Sequence, residues 1–369
     1  MPTIVSRKDD HIRIAILRNV EFGDTYLSKL HIVHDSLPEI GLDDVDTRVK
    51  LFGKDLALPL IIGALTGGTD LAFRINRVLA RVAEKCGIGI CVGSQRIAIE
   101  RPETRRSFEI VKEEAPTALK IANIGAPQLS KLDEAKLLEW CQTAIEMIDA
   151  DVLAVHLNPL QECLQPEGEP HFRDVLDKLR YLVKNLGKPI LVKEVGFGIA
   201  RETARKLAET GVAAIEVAGW GGTNFAIVEM YRTNLDMETI DMYKTLANLG
   251  IPTLISLCEV IEEFQGYIIA SGGVRTGLDV AKVLALGADA ASIARPFLEK
   301  AIEGEESVIR YVKRIEKELK ISMMLTSSRT VKDLRYAPLV MDYDVVMWLV
   351  QRRLRKCLRR ICLEHLIQK

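Results

Sequence analysis

The chain has 369 residues, 48% of them hydrophobic and 27% charged, with a formal net charge of −1. That is enough apolar material for a sizeable core, and the near-neutral balance excludes a basic surface broad enough for general nucleic-acid binding. The start "MPTIVSRKDDHIRIAI" has no apolar export core and no run approaches about 18 apolar residues, so stable membrane insertion is not expected. Seven scattered cysteines without metal-ligand spacing point to reduced thiols in a cytoplasmic protein.

From residue 58 onward one pattern repeats. A short β-branched or Ala-rich run ends in Gly, Asn or Ser, and a helical pattern follows. The strand candidates are residues 58–65, 88–93, 118–125, 151–158, 189–196, 213–219, 267–273 and 289–296. Between them lie stretches such as "FRINRVLARVAEKCG", with apolar positions three and four apart and a glycine stop. Runs that are apolar throughout suit parallel strands covered on both faces. The run "IPTLISLCEVIEEF" competes for a ninth strand, but Leu254, Leu257, Cys258, Ile261 and Phe264 fall at helical spacing, which predicts a helix. Eight strands each followed by helix give an α/β fold of the (β/α)8 barrel class. The competing architecture is an open doubly wound sheet, which lacks support because no G-x-G-x-x-G follows the first strand.

In such a barrel, chemistry sits at the carboxyl ends of the strands. Those ends read Thr66-Gly67-Gly68-Thr69, Gly93-Ser94-Gln95-Arg96, Asn123-Ile124-Gly125, the segment "HLNPLQECLQPEGE" (156–169), Lys193-Glu194, Gly221-Gly222-Thr223, Gly272-Gly273 and Ala294-Arg295. The fourth is the most unusual: an imidazole, two amides and nearby acids, with no evident nucleophile. Gly272 and Gly273 allow close approach of backbone to a ligand, and Thr276 can cap a helix beginning near Leu278, whose exposed amides would attract a phosphate. A glycine turn without ligand is the alternative. Lys193, inside an apolar run, meets either a ligand anion or a carboxylate of Glu194 or Glu216.

The motifs "RKDDHI" (7–12), "TGGT" (66–69), "GSQR" (93–96), "ANIGAPQ" (122–128), "HLNPLQECLQPEGE" (156–169), "KEVGFGI" (193–199), "AGWGGT" (218–223) and "SGGVRTGLDVAKVLALGAD" (271–289), in this order, resemble type 2 isopentenyl-diphosphate isomerase, a flavin-dependent (β/α)8 family of isoprenoid biosynthesis. The similarity covers roughly residues 5 to 335. It implies interconversion of isopentenyl and dimethylallyl diphosphate with reduced FMN, Mg²⁺ and NAD(P)H as reductant. It implies FMN contacts from Ala64, Leu65, Thr66, Ser94, Asn123, Lys193, Thr223, Gly273, Val274, Arg275, Ala294 and Arg295. Arg7, Lys8, Ser94, Gln95 and Arg96 would hold the diphosphate, Gln161 would stand beside the reacting carbons, and Glu162 would be the Mg²⁺ ligand. His156, Asn158 and His11 would shape and orient the pocket, a satisfied structural histidine being the alternative for His156 and His11. Amides cannot protonate an alkene, so the reduced flavin is the expected acid–base group. Glu167 and Glu169 have the plainer reading of solvated loop acids, preferred for Glu169.

One domain is expected: a barrel over about 58–335, an N-terminal substrate-capping segment over 1–57 and a helical tail over 340–369. The family resemblance implies a homotetramer or homo-octamer. In the tail, Met347, Val350, Leu354, Leu358, Ile361 and His365 form one helical stripe opposite a basic face, read as packing on the barrel or a neighbouring subunit rather than on an anionic membrane. Rival functions are another FMN barrel oxidoreductase and a non-catalytic flavin-binding barrel. Flavin oxidases of 2-hydroxy acids carry a catalytic His where this chain has Trp220 before Gly221-Gly222, a position whose plainer role is core packing.

Overall fold

A computed structural model describes residues 4–362 except 234, with side chains from Lys8 onward. Eight parallel strands form a closed barrel in sequence order. They are β1 (Leu60–Ile62), β2 (Gly89–Cys91), β3 (Lys120–Gly125), β4 (Val152–His156), β5 (Ile190–Lys193), β6 (Ala214–Glu216), β7 (Tyr267–Ala270) and β8 (Ala290–Ile293). The ring closes where Ala291 and Ile293 of β8 pair with Leu60 and Ile62 of β1. All eight strand candidates are present, and "IPTLISLCEVIEEF" forms the helix Thr253–Glu263.

The apolar character of the strands has two destinations. Ile61, Cys91, Ile121, Ala154, Leu191 and Ile269 point into the barrel, whereas their neighbours Leu60, Ile62, Leu153, Val155, Ile190 and Val192 pack under the surrounding helices. Alternation with a period of two, with both sides dry, keeps the strands apolar up to the layer beneath their carboxyl ends, apart from Lys120, whose Nζ donates to the carbonyls of Ala115 and Pro116. The helices are bounded as expected from their ends. In Asp70–Cys86, Thr69 Oγ1 accepts the Ala72 N–H, and Gly87, at φ +61°, closes the last turn.

The segment before the barrel is not a single cap. Helix Ile4–Leu17 lies at the carboxyl end of the strands against the helices Phe225–Arg232 and Arg295–Glu303. The hairpin Val49–Leu51 and Lys54–Leu56 instead plugs the opposite end, with Leu51 and Leu56 joining Leu119, Val152 and Ala214 and with Phe52 edge-on to Tyr267. Burying the apolar bottom of the barrel explains why that part of the segment cannot also reach the mouth.

The tail also differs from the predicted single stripe. Helix Tyr343–Arg352 ends at Arg353, in the left-handed region at φ +54°, and a second short helix, Arg355–Arg360, follows. The turn rotates the buried face, which consists of Val345, Val346, Leu349, Leu354, Cys357 and Leu358. Arg352 binds the buried carboxylate of Glu259 at 2.7 Å, and Arg360 donates to the carbonyl of Ala337 at 2.6 Å. The amphipathic face is therefore covered by the barrel. His365 lies outside the described residues.

Candidate active site

The strand alternation that fills the barrel floor builds the site one layer higher. Two residues beyond the apolar layer, the inward positions become Gly63, Gly93, Asn123, His156, Lys193, Glu216, Ser271 and Ser292, and all of them line a cleft of about 260 Å³ at the carboxyl ends. The register sets His156, Lys193 and Glu216 side by side across β4, β5 and β6. Ala64, Leu65, Ser94, Arg96, Asn158, Gln161, Glu162, Thr223, Gly273, Arg275, Ala294 and Arg295 also face the cleft, and the N-terminal helix adds Lys8 and His11.

Asn123 and His156 constrain one another. Asn123 Nδ2 donates to the Val92 carbonyl at 3.0 Å, so its Oδ1 is the acceptor for His156 Nδ1 at 2.9 Å. The proton therefore resides on Nδ1, and Nε2 carries a lone pair. Burial, then the charges of Lys193 and Lys8, push the imidazole down to about 3. At neutral pH His156 is an acceptor, not an acid.

The segment 156–169 has a defined polarity. Helix Pro159–Leu164 presents Gln161 and Glu162. Gln161 Nε2 donates to Glu229 Oε1 at 3.0 Å, and Asn158 Nδ2 donates to Glu162 Oε1 at 2.7 Å. Asn158 Oδ1 is buried with no partner, which leaves an acceptor for a ligand group. Among the described residues no three His, Cys, Asp or Glu converge as a metal cage. Glu162 is one carboxylate oxygen donor, which suits Mg²⁺ completed by phosphate and water oxygens.

Glu229 is the residue that sequence reading missed. It sits on helix Phe225–Arg232 with its side chain fully enclosed, and it accepts from His11 Nε2 (3.0 Å), Gln161 Nε2 (3.0 Å) and Arg232 Nε (2.6 Å). Burial alone would raise its pKa, but the hydrogen bond and charge of His11, the charge of Arg232 and the Gln161 amide outweigh it and hold the carboxyl at about 2. The available signal was a lone acid within the apolar stretch "FAIVEMY".

Lys193 Nζ donates to the carbonyl of Glu194 at 2.6 Å rather than to a carboxylate. The Glu194 carboxylate turns away and accepts the N–H groups of Val195, Gly196 and Phe197 at 2.5–2.7 Å. Burial still pushes Glu194 up to about 7. The Lys193 ammonium thus faces the cleft with one acceptor among the described residues.

The phosphate end differs in detail from expectation. Thr276 does cap helix Gly277–Leu286, with Asp279 completing a reciprocal box. However, Asp279 Oδ2 takes the amides of Arg275 and Thr276, Glu318 takes that of Gly277 and Thr276 Oγ1 takes that of Asp279, so of this helix start only the Leu278 amide lacks an acceptor among the described residues. The amides of Gly273 and Val274 have no acceptor among the described residues. Gly272 and Gly273, at φ +96° and +71°, and Gly222 press together so closely that a Cβ on Gly222 would lie 2.4 Å from the Gly273 nitrogen. A bare-backbone cradle with free N–H groups fits a flavin phosphate. Beside it, Arg275 and Arg295 (3.2 Å) both pair with Glu21.

Four predicted contacts need correction or fall outside view. Gln95 does not reach the cleft: it is fully buried, Nε2 donates to Ala144 O at 2.8 Å, and Oε1 accepts the Asn123 N–H at 2.9 Å. Both ends of its amide are used in placing Asn123, so the side chain is not a diphosphate ligand. The side chains of Thr66 and Val274 are buried behind the wall, which leaves their backbone amides, neither with an acceptor among the described residues, as the groups available to a ligand. The side chain of Arg7 lies outside the described residues. Glu169 is partly solvated but not a free loop acid: it binds Arg96 and Lys131. Trp220 is a packing residue, its ring enclosed by Gly23 and Gly250 and its N–H donating to Ala247 O at 2.8 Å.

Comparison with known proteins gives this arrangement its context. A model of the FMN-dependent dehydrogenase family matches residues 142–340. The isopentenyl-diphosphate delta-isomerase of Pyrobaculum islandicum is 45% identical over 356 residues, covering 95% of this chain and 99% of that protein. The protein of the same name from Sulfurisphaera tokodaii is 42% identical, covering 95% of each. Among solved structures, mandelate oxidase superposes with a TM-score of 0.59 at 17% identity, covering 92% of this chain and 99% of that one, a likeness of fold alone.

Proposed function

The chain belongs to the isopentenyl-diphosphate delta-isomerase family within the FMN-dependent dehydrogenases, and from that premise we propose that it interconverts isopentenyl and dimethylallyl diphosphate. The observation that carries the reading at the site is the Gln161–Glu229–His11 cluster, a set of oriented amide, acid and imidazole with no nucleophile, whose Gln161 and His11 line the same cleft as Lys8, Arg96, Lys193 and Gly273.

Reduced FMN, brought to that state by NAD(P)H, would supply the proton donor and acceptor that these side chains lack. The residues that would hold it are Ala64, Leu65, Ser94, Asn123, Thr223, Ala294 and the amides of Gly273 and Val274, with Lys193 opposing negative charge on the ring. Lys8, which donates to Ser94 O at 3.2 Å, and Arg96 would engage the diphosphate, joined by Arg7. Glu162 would hold Mg²⁺ on that group. Gln161 is oriented by Glu229 and Asn158 so that its carbonyl and amide directions are set before substrate enters. His156 offers its Nε2 lone pair at the cleft floor. The N-terminal helix, through His11, Ile12 and Ala15, covers the cleft and keeps water from a developing tertiary cation.

We also read the protein as a cytoplasmic homo-oligomer. Exposed apolar side chains such as Met237, Leu249 and Tyr343 support the assembly, and the free thiols of the described cysteines support a reducing compartment. Sedimentation of the purified protein tests the assembly. The activity itself is tested by incubating photoreduced protein anaerobically with isopentenyl diphosphate and Mg²⁺. Dimethylallyl diphosphate should form only with flavin bound, and equal conversion by flavin-stripped protein would refute the reading.

A further inference from the structure

The guanidinium of Arg96 is already occupied by acids. Nη1 and Nη2 donate to Glu169 Oε2 and Oε1 at 3.0 and 3.2 Å, and Nε donates to Glu100 at 2.8 Å. Lys131 Nζ lies 2.8 Å from the same Glu169 carboxylate. The segment carrying Glu169 is held over helix Pro159–Leu164. Gly168 N–H donates to Gln165 O at 2.9 Å, a Cβ on Gly168 would lie 1.9 Å from Glu162 O, and the Glu169 N–H donates to Glu162 Oε2 at 2.6 Å. One loop residue therefore bridges Arg96, which lines the cleft, to Lys131 and touches the neighbouring acid of the site.

A carboxylate gripped by a guanidinium fork and an ammonium has the charge and planar spacing of two oxygens of a phosphoryl group. We propose that Glu169 is a displaceable internal anion, holding Arg96 and Lys131 until a diphosphate takes both, so that occupancy requires an anion able to outcompete a tethered carboxylate. The inference rests on reading Arg96 as a diphosphate ligand. Exchange is feasible because the pairs are partly solvated, with side-chain exposures of 29% for Arg96, 21% for Glu169 and 44% for Lys131, and such pairs are individually weak. A diphosphate brings more charge and more acceptor oxygens than the carboxylate it replaces. A carboxylate or monophosphate from solution brings no such surplus and competes with a partner tethered at high effective concentration. Apparent affinity for any anion falls by the fraction of molecules in which Arg96 is released.

Calorimetric titration of FMN-loaded protein with inorganic pyrophosphate, and separately with inorganic phosphate, tests the proposal in Glu169→Gln, Glu169→Asp and Arg96→Gln. Glu169→Gln should bind pyrophosphate roughly tenfold more tightly, and inorganic phosphate should tighten by a similar factor. Glu169→Asp, which keeps the charge, should stay within about threefold of the parent. Arg96→Gln should bind pyrophosphate weakly. If Glu169→Gln binds no more tightly while Arg96→Gln is weak, the displaceable anion is refuted and the diphosphate site stands. If Glu169→Asp tightens as much as Glu169→Gln, charge is not the cause and the proposal fails. If Arg96→Gln binds pyrophosphate undiminished, both readings fall.

Discussion

Replacing Glu229 by Gln removes one charge from an enclosed side chain while preserving its shape. The carboxyl is held at about 2 against an ordinary 4.5, and that gap corresponds to about 3 kcal/mol of folding stability at neutral pH. Because the folded-state value is depressed, the contribution is complete above the unfolded value of 4.5 and is lost as pH falls through about 2. Gln also turns an NH2 group toward donors, since His11, Gln161 and Arg232 all point their N–H groups at this carboxylate. The loss should not reach the upper end seen for stranded buried charges, about 5 kcal/mol, because Arg232 keeps Glu167 at 2.8 Å. Urea unfolding of the FMN-loaded protein and of Glu229→Gln at pH 7 and pH 3 measures this. The stability difference should be about 3 kcal/mol at pH 7 and roughly half of that at pH 3. A difference that is the same at both pH values, or under about 0.5 kcal/mol at pH 7, would show that Glu229 is not the ionised hub described.

Other outcomes follow from the same geometry. Gln161→Ala should lower turnover by roughly 100-fold or more while FMN, measured by its absorbance after gel filtration, stays bound; an unchanged rate would remove Gln161 from the mechanism. Glu162→Gln should shift the Mg²⁺ titration of activity and of pyrophosphate binding to higher concentration, whereas superimposable titrations would contradict a metal role. Gly67→Ala places a Cβ 1.9 Å from Phe108 Cζ, in a wall whose ring is fully buried, and should destabilise by about 1–3 kcal/mol in thermal unfolding. An unshifted midpoint would mean that the Thr66–Thr69 turn has slack the packing does not show.

The strands, the helix Thr253–Glu263, the glycine turns and most cleft-facing positions were legible in the sequence because each depends on local pattern. A strand covered on both sides must be apolar throughout, a helix shows its period within its own length, and a turn with positive φ calls for glycine. What only the tertiary structure decided is which polar atom meets which. Gln95 and Arg96 are adjacent in sequence, yet one is consumed within the wall by Ala144, 49 residues away, and the other faces the mouth. Asp279 and Glu318 take most of the amides of a helix start that alone reads as an anion site, and the break at Arg353 turns a continuous apolar stripe to another face. Glu229 becomes a hub only because a helix 218 residues from His11 is brought against it. Polar satisfaction in a buried site is a long-range contest among a few donors and acceptors, and local composition carries no record of the winner.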